Sequence, residues 1–302
     1  MQASISKKKT YAALISVLSN TILVILKLLI GIITNSISII SEAAHSGIDL
    51  MASFIAFIAV KKAEIPPDET HPFGHGKIEN LSGIVEGGLI FVAVFLIALE
   101  SIKRIFVGRH LHSIDWGLGI MVFSSIINIF VSTWLFKVSK ETDSIALEAD
   151  AYHLRTDVYT SLGVLAGLLA IRLTKIEILD PLIALGVAIF ITKAAWEITK
   201  RSAAGLMDQK LPVAEEMLIR NIINKHYRQF VNFHSLRSRK SGSERYIDLH
   251  LVLSKDMTLK EAHNFCNHLE KDIARKLARS KVMIHVEPCN GKCERCQQEC
   301  QS

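Results

Sequence analysis

Two histidine–aspartate pairs stand inside otherwise apolar segments of the sequence. His45 and Asp49 lie in "EAAHSGIDL", and His153 and Asp157 lie in "EADAYHLRTDVYTS". The members of each pair are four residues apart, so in a helix their side chains share one face. An ionisable group in an apolar span is costly and usually faces a partner or an aqueous path. The two pairs are therefore candidate functional positions.

Two imidazoles and two carboxylates form a four-ligand set that suits Zn²⁺. Two ionised carboxylates would also balance the charge of one divalent cation in a medium that penalises charge. Since an imidazole must be neutral to bind metal and ordinarily titrates near pH ~6.5, metal and protons can compete for the same groups. The alternative is that each pair is a hydrogen-bonded couple that holds helices together. The repetition of the pair favours the metal site.

The elements that carry these pairs are predicted to be membrane spans. Half of the 302 residues are hydrophobic and the mean hydropathy is +0.31. Six apolar windows of about 20 residues, the length that crosses a bilayer core as helix, precede residue 205. They lie near 11–33, 36–60, 81–106, 116–138, 145–172 and 179–202. The first window is too long for a removable signal peptide. Lys and Arg at the span ends favour cytoplasmic termini two to one, which predicts a multi-pass protein of the inner (cell) membrane.

The chain changes character after residue 208. From residue 209 on there are 17 Lys and Arg against 11 Asp and Glu, so this part holds the whole formal charge of +6. Apolar spacing predicts helices over 212–228 and 258–279, with Thr258 as N-cap. Alternation predicts strands over 231–239 and 245–253, joined by a turn in "KSGS", and a third strand in "KVMIHVE". We therefore predict a six-span domain (1–208), a cytoplasmic αββαβ domain (209–288) and a cysteine-rich tail (289–302).

Two other classes of membrane protein lack their sequence signatures. No H-E-x-x-H string of a metalloprotease occurs, and no glycine-rich phosphate loop of an ATP-driven pump occurs. A passive channel and a membrane-bound metal sensor stay open, because their spans would look the same. The sequence does not predict an enzyme.

The sequence resembles the cation diffusion facilitators, a family of proton-coupled exporters of divalent metals. The segments that carry the resemblance are "SEAAHSGIDL", "HPFGHGKIE" and "EADAYHLRTDVYTS", within six spans followed by an α+β domain. The resemblance implies a metallochaperone-like (ferredoxin-like) cytoplasmic domain and a homodimer. It implies a zinc/proton antiporter with zinc as substrate and regulatory ligand, and neither an organic cofactor nor nucleic acid. It also places the four transport ligands at His45, Asp49, His153 and Asp157.

One of these ligands departs from the similar bacterial branch, whose members move iron, zinc and cadmium. They carry Asp at the position of His45, whereas zinc-selective members carry His. An imidazole removes one negative charge and suits zinc, so we expect discrimination against cadmium and manganese. Iron, cadmium and manganese stay alternatives as the transported metal.

A second cluster lies in "PPDETHPFGHGK", the loop between the second and third spans. Asp68, His71 and His75 stand among prolines and glycines, so the backbone is a shaped loop and not regular helix. Three ligands suit a weak zinc site, and on residue types alone a loop that binds nothing is an equal alternative. The family resemblance favours the metal.

A third group of residues lies in the cytoplasmic domain. His285 and Glu287 point to one sheet face, and His250 lies on the polar face of its strand. Scattered surface histidines are the alternative reading. The resemblance implies a binuclear zinc site in the dimer and matches His234, His250, His263, His285 and Glu287 to its ligands, with Glu where relatives have Asp. It also implies that Lys77 and Asp208 form a charge pair that holds the dimer together.

The tail sequence "PCNGKCERCQQEC" contains Cys289, Cys293, Cys296 and Cys300. A cytoplasmic location argues against structural disulfides. A four-thiolate metal site is favoured, and redox chemistry or an iron–sulfur cluster stay as alternatives. Cys266 stands alone on a predicted helix and is expected in the core.

Overall fold

The computed structural model describes residues 2–33, 37–107, 115–174, 176 and 178–290. The chain forms two compact units, Met1–Ala204 and Gly205–Ser302. The first contains long apolar helices, and the second contains a three-stranded sheet with two helices. This is the predicted fold class.

Six long helices build the described part of the first unit, and the last of them continues to Leu206. They are α1 (Gln2–Ile33), α2 (Ile37–Ala63), α3 (Lys77–Val107), α4 (Asp115–Thr142), α5 (Ile145–Thr174) and α6 (Leu179–Leu206). Within the described residues, five stretches are long and apolar enough to cross a membrane, one in each of α1, α2, α3, α4 and α6. The 30 residues of α5 exceed the ~20 that a span needs, and its first half carries the second histidine–aspartate pair.

Small side chains let these helices pack closely. Ala12 and Ala13 of α1 are fully buried in one cluster with Leu135 of α4 and Leu154 of α5. Large apolar side chains such as those of Ile22, Phe95, Phe130 and Ile189 remain exposed. Because lipid is as apolar as leucine, small residues at helix contacts and large ones outside are typical of a membrane bundle.

Two glycines bring α3 against α6. A Cβ added to Gly83 would collide with the hydroxyl of Ser202, and one added to Gly87 would collide with that of Thr199. A larger residue at either position therefore needs the facing side chain to rotate or α6 to shift.

The second unit follows the predicted αββαβ order. Its elements are α7 (Val213–Lys225), β1 (Asn232–Ser241), β2 (Glu244–Leu253), α8 (Leu259–Lys276) and β3 (Ser280–Pro288). β1 pairs antiparallel with β2 through a turn at Gly242, which has φ 57°, and β2 pairs parallel with β3 across α8. Thr258 caps α8 in a capping box with Glu261, as its position predicts.

The core of this unit lies between the sheet and the two helices. Ile247, Leu249, Leu251 and Leu253 alternate along β2 and are buried against residues of α7 and α8, including Cys266. The intervening residues of β2, such as His250, therefore lie on the opposite sheet face. The predicted helix over 212–228 ends earlier, at Lys225, and a turn leads to β1.

Candidate metal centre

The two histidine–aspartate pairs meet between α2 and α5. His153 Nε2 lies 3.2 Å from Asp49 Oδ1, and His45 Nε2 lies 3.9 Å from Asp157 Oδ1. Ligand atoms of His45, Asp49 and Asp157 all lie within 4.8 Å of one another, and His153 joins them through Asp49. Each histidine therefore faces the aspartate of the other helix, so the two pairs close into one four-residue group.

Three of these four residues, His45, Asp49 and Asp157, border a cavity of about 380 Å³ that is lined by residues from all six helices. The side chain of His45 is 52% exposed, whereas those of Asp49 and His153 are nearly covered. Polar side chains line much of the cavity, among them Asn20, Lys27 and Glu100. A hydrated cation could therefore reach His45 first and exchange its water for protein ligands deeper in the site.

His153 has a second nitrogen that bears on the nature of the site. Its Nδ1 is buried and has no hydrogen-bond partner in the part of the chain that the structure describes. Buried polar atoms are nearly always paired, so this nitrogen is unusual whether His153 binds a metal or only Asp49.

Two buried carboxylates near this site were not assigned from the sequence. Asp150 is fully buried on α5, where Ser53 Oγ donates a 2.9 Å hydrogen bond to its Oδ1. Glu86 is fully buried on α3 and accepts a 3.0 Å bond from Ser82. A signal existed for Asp150, which precedes His153 by three residues and so shares its helix face. For Glu86 the signal was one charge within an apolar run.

A buried ion cluster joins the ends of four helices. Lys9 Nζ of α1 lies 2.8 Å from Glu64, just after α2, and 2.9 Å from Glu79 of α3. The hydroxyl of Ser144, just before α5, donates a 2.5 Å bond to Glu79. Only 1% of the Lys9 side chain is exposed. From the sequence Lys9 was only a flanking charge for the orientation of the spans.

The loop after α2 brings its three predicted ligands together. His71 Nδ1 lies 3.3 Å from Asp68 Oδ1, and His75 Nε2 lies 3.3 Å from Asp68 Oδ2. Hydrogen bonds from the Thr70 hydroxyl and the His71 N–H lower the pKa of Asp68 to about 2. Gly74 turns the chain with φ 80°. A metal between the two rings would therefore meet a carboxylate that is ionised throughout the physiological range.

Four of the five residues predicted to bind metal in the cytoplasmic domain lie together on the outer face of the sheet. Glu287 accepts contacts from His234 Nε2 at 3.1 Å and His250 Nδ1 at 2.7 Å, and the rings of His250 and His285 are 4.8 Å apart. The hydrogen bond from His250, followed by that from His234, lowers the pKa of Glu287. His263 is exposed on α8, and no hydrogen bond or ion pair within the described residues joins it to the other four.

The remaining predicted positions are only partly described. Asp208 accepts a 3.1 Å bond from Arg239 of its own unit, and Lys77 begins α3, so the predicted charge pair between Lys77 and Asp208 stays a prediction. Cys289 is buried at the end of β3 and is disulfide-bonded, which differs from the expectation of free thiols. Cys293, Cys296 and Cys300 lie outside the described residues, and the tail site stays a prediction. Cys266 is buried and free, as expected.

Comparison with known proteins places this architecture in a family. Residues 13–207 match the cation efflux transmembrane domain, and residues 211–289 match the cation efflux protein, cytoplasmic domain. A transporter of Synechocystis is 36% identical over 256 residues, which cover 85% of this chain and 83% of the relative. The cation-efflux pump FieF of Salmonella agona is 30% identical over 279 residues, 92% of each chain.

A smaller share of the chain is also similar to solved structures. A zinc transporter, CzrB, solved in its zinc form, is 32% identical, covers 29% of this chain and 98% of its own, and has a TM-score of 0.27.

The fold and the site define a multi-pass membrane protein with a group of potential metal ligands in its interior. The chain belongs to the cation diffusion facilitator family. It is a cation efflux transporter and not an enzyme.

Proposed function

We propose that the chain exports Zn²⁺ from the cytoplasm in exchange for protons, by alternating access to the site between α2 and α5. The observation that carries this proposal is the crossed arrangement, in which each histidine faces the aspartate of the other helix. It offers zinc two nitrogens and two carboxylate oxygens, the ligand types and number that zinc prefers. The two aspartates neutralise the divalent charge, so the loaded site can move through a low-dielectric region.

The same contacts support proton exchange. His153 Nε2 and Asp49 Oδ1 are 3.2 Å apart, the separation of a hydrogen bond, so one proton fits between them. Zinc bonded to both atoms at about 2.0–2.2 Å would take the place of that proton. Metal binding therefore releases protons, and protonation from the other side of the membrane releases metal. His45 adds a second imidazole, which must likewise be neutral to bind the metal.

Several further assignments complete the proposal. Both termini lie in the cytoplasm, and the chain works as a homodimer, which Lys77 and Asp208 stabilise. The loop cluster around Asp68 and the sheet cluster around Glu287 bind regulatory zinc, and the geometric grouping of each set of ligands supports this role. No organic cofactor is required, because every step exchanges metal for protons on side chains.

The test is zinc uptake into proteoliposomes that contain the purified protein, with zinc and pH indicators inside. An antiporter moves zinc against its own gradient when a proton gradient is imposed, and each zinc ion is matched by proton flux. A passive channel would follow the zinc gradient alone, and a membrane sensor would move none. Iron, cadmium or manganese replacing zinc as the preferred cation would overturn the assignment of the metal.

Two variants link the flux to the site. Asp49→Asn and Asp157→Asn each remove one of the two neutralising charges and are expected to abolish coupled zinc flux. Glu148→Gln is the matched control, because Glu148 lies on α5 but pairs with Arg201 at 2.6 and 2.9 Å and not with the ligands. Loss of flux in all three variants would show that the assay reports folding and not the site.

A further inference from the structure

A cluster of three potential metal ligands lies on the helical side of the cytoplasmic domain. His226 follows the last residue of α7, and His268 and Asp272 lie four residues apart on α8, so they share one helix face. Ligand atoms of the three residues all lie within 4.8 Å of one another. The residues around Glu287 lie on the opposite side of the sheet, so this is a separate cluster.

Both imidazoles converge on one oxygen of the aspartate. His226 Nε2 lies 3.2 Å from Asp272 Oδ2, and His268 Nε2 lies 3.5 Å from the same atom. In a tetrahedral site with bonds of about 2.0–2.1 Å, neighbouring ligand atoms are separated by about 3.3–3.4 Å. The two measured separations bracket this value, so a metal could bind all three atoms with small side-chain adjustments.

The other carboxylate oxygen has its own partner. Arg275 Nη1 lies 3.3 Å from Asp272 Oδ1, which fixes the carboxylate so that Oδ2 points to the two histidines. Metal sites commonly have such an outer hydrogen bond that orients the ligand. The ring of His226 also meets the edge of the Phe265 ring, with centroids 6.1 Å apart. Two of the three ligands are thus held before any metal binds.

Exposure rises across the cluster from His226 to His268. The side chain of His226 is 15% exposed, that of Asp272 is 26% exposed and that of His268 is 56% exposed. The site is therefore open on the His268 side, where a water molecule can complete four-coordination. A site with three protein ligands and one water is expected to exchange its metal more readily than a closed structural site.

The structure assigns to His226, His268 and Asp272 a second metal site of the cytoplasmic domain, for a divalent cation that prefers nitrogen, such as Zn²⁺ or Co²⁺. Two imidazoles and one carboxylate are a poor set for Ca²⁺ or Mg²⁺, which prefer oxygen ligands. A bound ion would tie the end of α7 to α8 and so make the stability of this domain depend on metal. The site does not depend on which ion the transmembrane domain moves.

The experiment counts zinc bound per chain in the purified full-length protein, by equilibrium dialysis followed by metal analysis. His268→Ala and Asp272→Asn are each expected to lose one zinc per chain relative to wild type. Asn264→Ala, an exposed position on the same helix, is the matched control and is expected to lose none. The same variants are then compared in a protein that also carries His234→Ala and His250→Ala, which removes the zinc bound by the sheet cluster. The loss of one zinc per chain is expected again.

A second measurement separates metal binding from an ordinary helix contact. Co²⁺ in a tetrahedral site with nitrogen ligands gives visible absorption, and His268→Ala is expected to remove one such component from the titration. Because His268 is more than half exposed, its loss is not expected to unfold the domain. If His268→Ala and Asp272→Asn bind as much zinc and Co²⁺ as wild type, the cluster is only a hydrogen bond between α7 and α8, and the proposal is wrong.

Discussion

Replacing His45 by aspartate is the most direct test of what makes the site selective. In the crossed arrangement His45 Nε2 faces Asp157 Oδ1 at 3.9 Å, and the histidine is neutral when it binds a metal. His45→Asp places a third carboxylate in the group and removes a nitrogen ligand. We expect the variant to transport cadmium and manganese better relative to zinc, so the preference for zinc over these two cations falls.

The size of the change follows from the geometry. The aspartate side chain reaches about 1 Å less far than histidine, so its charge would lie roughly 5 Å from that of Asp157; at an effective dielectric constant of ~20 two such charges repel by about 3 kcal/mol. Any divalent cation relieves this repulsion, whatever its preference for nitrogen. An energy of about 3 kcal/mol corresponds to a factor on the order of a hundred in binding. Because this gain is common to zinc, cadmium and manganese, it strengthens the binding of all three, and the ratio between them changes through the loss of the nitrogen ligand.

The assay is initial-rate transport of zinc, cadmium and manganese into proteoliposomes, at a pH where the carboxylates are ionised. His45→Asn is the matched control, because it has the size of aspartate without the charge. It is expected to transport all three cations poorly and to gain nothing for manganese. If His45→Asp transports zinc well and keeps the wild-type ratios within about twofold, the reasoning that His45 selects zinc is refuted.

Three further predictions concern stability and reactivity. Lys9→Ala leaves the carboxylate of Glu79 buried without its cation, and breaking a buried pair in this way is expected to cost about 3–5 kcal/mol, seen as a lower melting temperature in detergent. Thr258→Ala removes the N-cap of α8 and is expected to cost about 1 kcal/mol by the same measurement. Because hydrogen bonds from Thr258 lower the pKa of Glu261 below its ordinary value of 4.5, this stabilisation is present above that pH and is lost as the pH falls. Burial raises the pKa of the Cys266 thiol, so its alkylation at neutral pH is expected to be slow until the protein unfolds.

Each of these predictions has a control. Lys8 pairs with Glu141 on the surface, and Lys8→Ala is expected to leave the melting temperature unchanged. Equal destabilisation by Lys8→Ala and Lys9→Ala would contradict the importance of burial. The difference between wild type and Thr258→Ala should shrink as the pH falls below 4.5, and a constant difference would argue against the capping box. Rapid alkylation of Cys266 in the folded protein would contradict its place in the core.

The helices and strands were predictable because they follow local patterns. A span needs about 20 apolar residues, and a strand with one buried face needs alternation; both patterns are continuous in this chain. The hairpin at Gly242 and the N-cap at Thr258 also follow from a few adjacent residues. The end of α7 was predicted three residues late, since helix ends depend on the turn that follows.

The sequence by itself determined which residues belong to the central site, because costly polar groups in an apolar span are rare and their spacing places them on one helix face. Only the tertiary structure decided how they pair: the contact between His153 and Asp49 joins residues 104 positions apart and depends on how α2 packs against α5. The pairs of Lys9 with Glu79 and of His226 with Asp272 likewise join distant positions. A local sequence pattern does not reveal such contacts, because they form only when elements that are distant in the sequence pack together in the folded chain.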